Sequence, residues 1–229
     1  MSNQIIVGLD IGTTKIACFV GQRDETTKKV RILGYGKTES IGVEHGVVKN
    51  IITTADSIKR AVSIAADQAD VDIKEVYVGI AGQHIKSRKN QGSIMIPPGH
   101  NFITQEDVYK LIEDQHHIML SPGEEIIHVF PQNYIVDGEP LSVDVNPVGV
   151  AGNQLKGNFH IVTGNKTNLT NIRSAVQRAD LKILGVVLEP VASAIATLDD
   201  RDREAGVALV DIGGGTTDIA IFQDGYICY

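Results

Sequence analysis

Tryptophan is absent from this chain of 229 residues, aromatic residues make up 5%, and there are two cysteines, Cys18 and Cys228. Two thiols, each inside an apolar strand-like run, do not make a disulfide framework; they read as buried thiols of a chain kept in a reducing compartment. No run of 18 apolar residues occurs, so no segment reads as a membrane span. The chain enters a strand by Ile5, without the basic and apolar regions of a signal peptide. Positive charge is also in deficit. Lys plus Arg number 21 against 28 for Asp plus Glu, a net charge of -7. A broad nucleic-acid footprint needs a basic surface, so nucleic acid is not expected as a partner. A hydrophobic share of 42% is that of a globular chain with a real core.

Against this background one phrase occurs twice. It reads Asp10-Ile11-Gly12-Thr13-Thr14-Lys15-Ile16-Ala17 near the start and Asp211-Ile212-Gly213-Gly214-Gly215-Thr216-Thr217-Asp218-Ile219-Ala220 near the end. Deleting two glycines from the second copy aligns the two. Each copy predicts a strand, a tight polar turn and a second strand, and a repeat at this distance predicts a duplicated architecture with a cleft between halves.

The remaining pattern predicts an α/β chain. Strands are expected over 5–11, 15–21 and 30–41, with Gly34 and Gly36 marking a bend or bulge in the third. Helical spacing over 51–69 predicts a helix capped by Thr53 or Thr54 with Asp56 early in its first turn, where the helix dipole favours an anion. A strand follows over 75–80, giving the β-β-β-α-β order that opens a ribonuclease-H-like unit. From His84 the texture changes. A loosely alternating strand over 85–96, a helix opened by Thr104, and strands over 126–136 and 140–144 about an Asp137-Gly138 turn predict a small inserted α+β domain. A strand over 159–163 is expected to return to the first unit. A helix over 168–179, a strand over 181–188 and a helix carrying Pro190 follow. The stretch 199–204 reads as a charged connector, and 207–212 begins a second β-β unit.

In a tight Gly-rich turn, successive amide groups converge on a concavity that favours an anion, and glycine lets the backbone approach its oxygens. Gly12, Thr13, Thr14, Gly213, Gly214, Gly215, Thr216 and Thr217 are therefore candidate phosphate contacts, with Lys15 to neutralise charge. Asp10 and Asp211 end strands directly before the turns. They can stand beside phosphates when hydrated Mg²⁺ lies between, because Mg²⁺ keeps several waters. One such turn is an ordinary hairpin; two with matching aspartates make a clamp. Glu189, at a strand end before a helix, is a third candidate, to orient a water. It could also simply complement the helix dipole. Gly36-Lys37-Thr38 is no Walker motif, since position 31 is Arg31. Among the seven histidines no metal spacing occurs, and His116-His117 reads as a polar helix face.

The first turn, Glu189-Pro190-Val191-Ala192-Ser193-Ala194 and the second turn resemble the phosphate 1, connect 1 and phosphate 2 segments of actin-like ATPases. Val78-Gly79-Ile80-Ala81-Gly82-Gln83-His84-Ile85, Ile127-His128-Val129-Phe130-Pro131 with Tyr134, Val136-Asp137-Gly138, and His160-Ile161-Val162-Thr163 resemble the bacterial cell-division FtsA family. The resemblance runs from Val7 to Phe222. It implies subdomain 1A over 1–84 and 159–198, an inserted subdomain 1C over 85–158, and the start of subdomain 2A over 199–229. It implies ATP with Mg²⁺ as ligand, with Asp10, Glu189 and Asp211 at the reacting end. Slow hydrolysis is expected, because no strong general base is in view. Implied partners are other copies in an actin-like filament, the FtsZ polymer, later division proteins contacted through 1C, and the cytoplasmic membrane at the septum. The family's FtsZ-binding subdomain, adenosine motif and terminal amphipathic helix have no match here. A truncated second lobe, a soluble fragment and weak or no ATP binding by these residues alone are thus expected. A pilus-assembly adaptor, and a chaperone or kinase of the same clan, are the alternatives.

Overall fold

The computed structural model describes residues 4–27, 29–99, 102–142 and 145–229. The order of elements begins β1 (Ile5–Ile11), β2 (Lys15–Arg23), β3 (Val30–Glu39), β4 (Val43–Glu44), β5 (Val47–Val48), α1 (Ile51–Ala69), β6 (Glu75–Ile80) and β7 (Ile85–Met95). It continues α2 (Gln105–Gln115), β8 (Glu124–Val136), β9 (Glu139–Pro140), β10 (Gln154–Asn165), α3 (Lys166–Arg178) and β11 (Lys182–Leu188). The last elements are α4 (Glu189–Thr197), α5 (Asp200–Ala205), β12 (Val207–Ile212), β13 (Thr217–Gln223) and β14 (Tyr226–Ile227). Contacts divide the chain into two compact units.

The first unit comprises the chain up to His84, Lys166–Thr197 and Leu209–Ile219. Its sheet has the order β11-β6-β1-β2-β3, with β11, β6 and β1 parallel and the other pairs antiparallel. Leu9, Val76 and Val78 are buried within it, on strands that read as apolar runs or alternations. Helix α1 buries Ala55, Ile58, Ala61, Val62 and Ala65, a stripe at the 3.6-residue period. Burial of Ile58 alone contributes about 1.5–3 kcal/mol. Small residues let this helix lie close: a Cβ on Gly36 would come within 1.9 Å of the Ala61 carbonyl oxygen. Gly36 is thus there for close approach, while a bulge falls next to Gly34, where Val20 pairs with Gly34 and Gly21 with Ile32. The helix is capped by Asn50, whose side chain accepts from the amides of Ile52 and Thr53. The expected caps Thr53 and Thr54 lie inside the helix, and its first turn holds no acid. Asn50 was masked in the sequence by the two threonines that follow it.

The second unit holds Ile85–Asn165, Leu198–Ala208 and Ala220–Tyr229. Its sheet runs β7-β10-β8-β9, with Leu111, Leu155, Phe159 and Ile161 fully buried in its core. Helix α2 opens on a reciprocal capping box between Thr104 and Asp107. The Asp137-Gly138 hairpin forms, with φ of 49° and 94°. Of the strand expected over 140–144, residues 143 and 144 lie outside the described residues. The strand expected to return to the first unit at Phe159 does not do so. It is part of β10, the strand between β7 and β8, and the chain re-enters the first unit at Lys166. An apolar run predicts a strand but carries no information about its partner. The expected connector 199–204 contains α5, capped by a second box between Asp199 and Asp202.

Candidate nucleotide site

Parallel strands end at the same edge of a sheet, and in open α/β sheets ligands bind at that edge. Here β1 ends at Asp10-Ile11, β6 runs out into Ala81-Gly82, and β11 delivers Glu189 as the first residue of α4. Asp10 pairs with Gly79, and Gly79 with Val187 on the other side. All the site residues expected from the sequence belong to this one unit.

The repeat is visible in the backbone. The Gly12 amide donates to the Lys15 carbonyl at 3.0 Å, and the Gly213 amide to the Thr216 carbonyl at 2.9 Å. The two turns therefore match residue for residue without a gap. Gly214 and Gly215 occupy the tip positions held by Thr13 and Thr14, and Thr216 stands where Lys15 does. The sequence alignment, which deleted two glycines, matched the threonines to each other; the turn geometry does not. Thr217 begins β13, one residue past the turn, with its side chain exposed. The tips meet. A Cβ on Gly214 would fall 2.3 Å from Thr14 Cγ2, and one on Gly215 would fall 2.7 Å from Thr13 Cγ2 and Oγ1.

Four carboxylates share this end of the sheet. Burial raises the Asp10 pKa, opposed by Lys15 and reinforced by Asp211. Glu189 is pushed up to about 8, first by burial, then by Asp10, Asp218 and Asp211, with Lys15 opposing. Asp211 is oriented by the Ser193 hydroxyl, which donates to Oδ2 at 3.0 Å. Asp218 accepts from the Gly82 amide at 3.2 Å. His84 stands near Asp218. Burial lowers its pKa and Asp218 opposes that, while both ring nitrogens are buried and lack a hydrogen-bond partner among the described residues.

Sequence reasoning missed Asp218, Ser193, His84 and the β4–β5 hairpin as parts of this site. The hairpin tip is His45-Gly46, both at positive φ. The Gly46 amide donates to Thr13 Oγ1 at 3.1 Å, and His45 Nδ1 lies 3.0 Å from the Gly215 carbonyl oxygen. A carbonyl only accepts, so Nδ1 carries the proton. An X-Gly pair between Val43-Glu44 and Val47-Val48 was the available signal, the same one that found Asp137-Gly138.

Among the described residues no group of three His, Cys, Asp or Glu side chains is disposed to hold a metal ion directly. The excess of carboxylates over Lys15 nonetheless suits a divalent ion held through water, which needs few protein ligands. A phosphate fits between the tips only if Thr13 and Thr14 part from Gly214 and Gly215.

A five-stranded mixed sheet of this order, with two aspartate-led turns and a carboxylate-led helix at the ends of its parallel strands, is the actin-type ATPase fold, a nucleotide-binding class. Solved structures agree on the fold. The chain superposes over its full length on 61% of a chain from the PilM-PilN type IV pilus biogenesis complex, with a TM-score of 0.67 and 14% identity. It likewise covers 51% of the ethanolamine utilization protein EutJ from Carboxydothermus hydrogenoformans, with a TM-score of 0.51 and 17% identity. Residues 82–163 match the family described as the SHS2 domain inserted in FtsA, and residues 165–226 match the Hsp70 protein family. Cell division protein FtsA of Neisseria meningitidis serogroup B is 38% identical over 96% of this chain and 52% of its own length. That of Borreliella burgdorferi is 38% identical over 98% of this chain and 54% of its own. That of Escherichia coli K12 is 34% identical over 97% and 52%. Along nearly its whole length the chain is similar to FtsA cell-division proteins, and it spans about half the length of the curated relatives it matches.

Proposed function

We propose that the paired turns hold ATP with Mg²⁺, and that the chain serves in an FtsA-type assembly that polymerises on itself and anchors the FtsZ ring to the cytoplasmic membrane. The observation that carries the nucleotide reading is the matched pair of turns, closed by equivalent amide bonds and touching tip to tip. In this reading the Thr13 and Thr14 hydroxyls and the amides of the tip residues Thr13, Thr14, Gly214 and Gly215 grip the β- and γ-phosphates, while the Gly12 and Gly213 amides keep the turns closed. Lys15 balances their charge. Asp10 and Asp211 bind the water shell of the ion, and Ser193 keeps Asp211 aimed. Bound Mg²⁺ supplies charge neutralisation of the phosphate oxygens and a set of ordered waters. Glu189, protonated at neutral pH in this carboxylate cluster, orients a water rather than abstracting its proton, which accords with slow turnover.

Within this proposal subdomain 1A is the first sheet and its helices without residues 159–165, which lie in β10 of the second sheet, 1C is the insertion, and 2A starts at about Asp199. Recruitment of later division proteins through 1C and location at the septum follow the same family reading. The pilus-adaptor alternative rests on a shared fold at 14% identity, whereas FtsA relatives match at 30–38% along the chain. The test of the nucleotide reading is titration with Mg²⁺-ATP, followed by the amide shifts of the turns and by calorimetry. In the full-length protein Asp211→Ala is expected to abolish binding, and undiminished affinity would reject the site.

A further inference from the structure

The β4–β5 hairpin reaches both turns at once, and no ligand role for it follows from the repeat or from the actin-type layout of two turns. The Gly46 amide donates to the hydroxyl of Thr13 on the first turn. The His45 imidazole donates to the Gly215 carbonyl on the second. Both donors thus point at the seam where the tips touch. Backbone geometry holds them there. His45 and Gly46 have φ of 48° and 74°, the two-residue turn whose consecutive amides face one way. Close packing holds Gly46 too, since a Cβ there would lie 3.0 Å from the Ala81 carbonyl oxygen and 3.3 Å from the Gly82 Cα. His45 is exposed, so its ring is open to a ligand.

The site is short of donors and of positive charge. Asp10, Asp211 and Asp218, beside the neutral Glu189 carboxyl, face a single lysine, Lys15. A terminal phosphate entering the seam adds more negative charge than Lys15 and one divalent ion readily balance. Two neutral acceptors, the Thr13 hydroxyl and the Gly215 carbonyl, now hold the hairpin's donors. Exchanging them for phosphate oxygens makes both hydrogen bonds charge-assisted, which roughly doubles their strength.

We propose that the His45–Gly46 hairpin is a third phosphate-binding element, which takes the terminal phosphate of a nucleoside triphosphate between the Gly46 amide and the His45 imidazole. The proposal rests on the nucleotide reading given above and adds selectivity to it: the hairpin distinguishes a triphosphate from a diphosphate.

The test titrates the ¹⁵N-labelled protein with Mg²⁺-ATP and Mg²⁺-ADP, comparing the parent with His45→Asn. Asparagine tolerates positive φ, so the turn is kept while the imidazole is lost. The expected result is an approximately tenfold loss of Mg²⁺-ATP affinity, the scale of one hydrogen bond to an anion, with Mg²⁺-ADP affinity changed less than about twofold. In the parent, the Gly46 amide resonance should shift with Mg²⁺-ATP and stay in place with Mg²⁺-ADP. Equal losses for the two nucleotides, no loss, or an unmoved Gly46 amide would overturn the hairpin's role while leaving the two-turn clamp standing. A full-length parent that binds neither nucleotide would overturn both.

Discussion

Glu189 lies against Gly79: a Cβ built on Gly79 would sit 3.1 Å from Glu189 Cγ and 3.4 Å from its Oε1. The glycine makes the space in which a carboxyl group is buried beside three others. The folded-state pKa of about 8 stands above the ordinary 4.5, so the protonated form is the one the fold favours. The stabilisation from that proton is complete below about pH 4.5 and is lost as pH rises through 8. Glu189→Gln, which mimics the protonated carboxyl, is expected to match the parent near pH 4. Above pH 8 it should exceed the parent by a few kcal/mol, at about 1.4 kcal/mol per unit of pKa displacement. Urea denaturation between pH 4 and pH 9 reads this directly. A stability difference that does not widen with pH would show that Glu189 is not buried as a neutral acid.

The Ser193 hydroxyl ties α4 to the second turn through Asp211 Oδ2. Ser193→Ala removes this bond without touching the turns. A lost hydrogen bond to a carboxylate is worth about 1.5–3 kcal/mol, and part of that is recovered when water replaces it. Affinity for Mg²⁺-ATP is expected to fall several-fold, with affinity for phosphate in the absence of Mg²⁺ unchanged. The contrast matters: a merely structural role for Ser193 would weaken both equally.

Gly36 and Ala61 test the seat of α1. The Cβ of alanine at position 36 would meet the Ala61 carbonyl oxygen at 1.9 Å and the Ala65 amide nitrogen at 2.8 Å, both backbone atoms of a helix that cannot yield locally. Gly36→Ala is expected to destabilise the chain by about 3 kcal/mol, the upper range for overpacking. Gly138→Ala, where nothing lies within 4 Å, should cost less, and its cost should come from its φ of 94°. Thermal melts of the two variants rank these effects.

Periodicity and repeats made much of this legible in the sequence. The stripe Ala55, Ile58, Ala61, Val62 and Ala65 defined α1 to the residue, and the Asp137-Gly138 pair placed a hairpin correctly, because both signals are local. The partner of β10 was not legible. Its first half alternates and its second half is buried throughout, and neither pattern says which sheet the strand joins. At the site, the aspartate-led turns stood out as a repeat. Asp218, Ser193, His84 and His45 did not, since each reaches the site from a different element and no spacing along the chain links them. The gapless match of the turns was likewise hidden: the eye pairs Thr with Thr, while the backbone pairs Thr13 with Gly214.

The contact between the two tips leads to the strongest test of the clamp. Gly214 faces Thr14 so closely that a methyl group would fall 2.3 Å from Thr14 Cγ2 and 2.8 Å from its Oγ1. Threonine is β-branched and stiff at χ1, so it cannot swing clear at little cost. Gly214→Ala must therefore push the two tips apart. The same separation is what a phosphate between the tips requires. If the turns are a clamp, the variant carries part of the cost of opening before the ligand arrives. It should lose stability by about 1–3 kcal/mol when free, as overpacked contacts do. Its Mg²⁺-ATP affinity should fall less than that of Thr14→Val, which keeps the contact but removes the hydroxyl. Denaturation and titration of both variants separate the two effects. A Gly214→Ala protein that is destabilised and also binds no nucleotide, beside a Thr14→Val protein that binds normally, would mean that the tips meet only to hold the fold together.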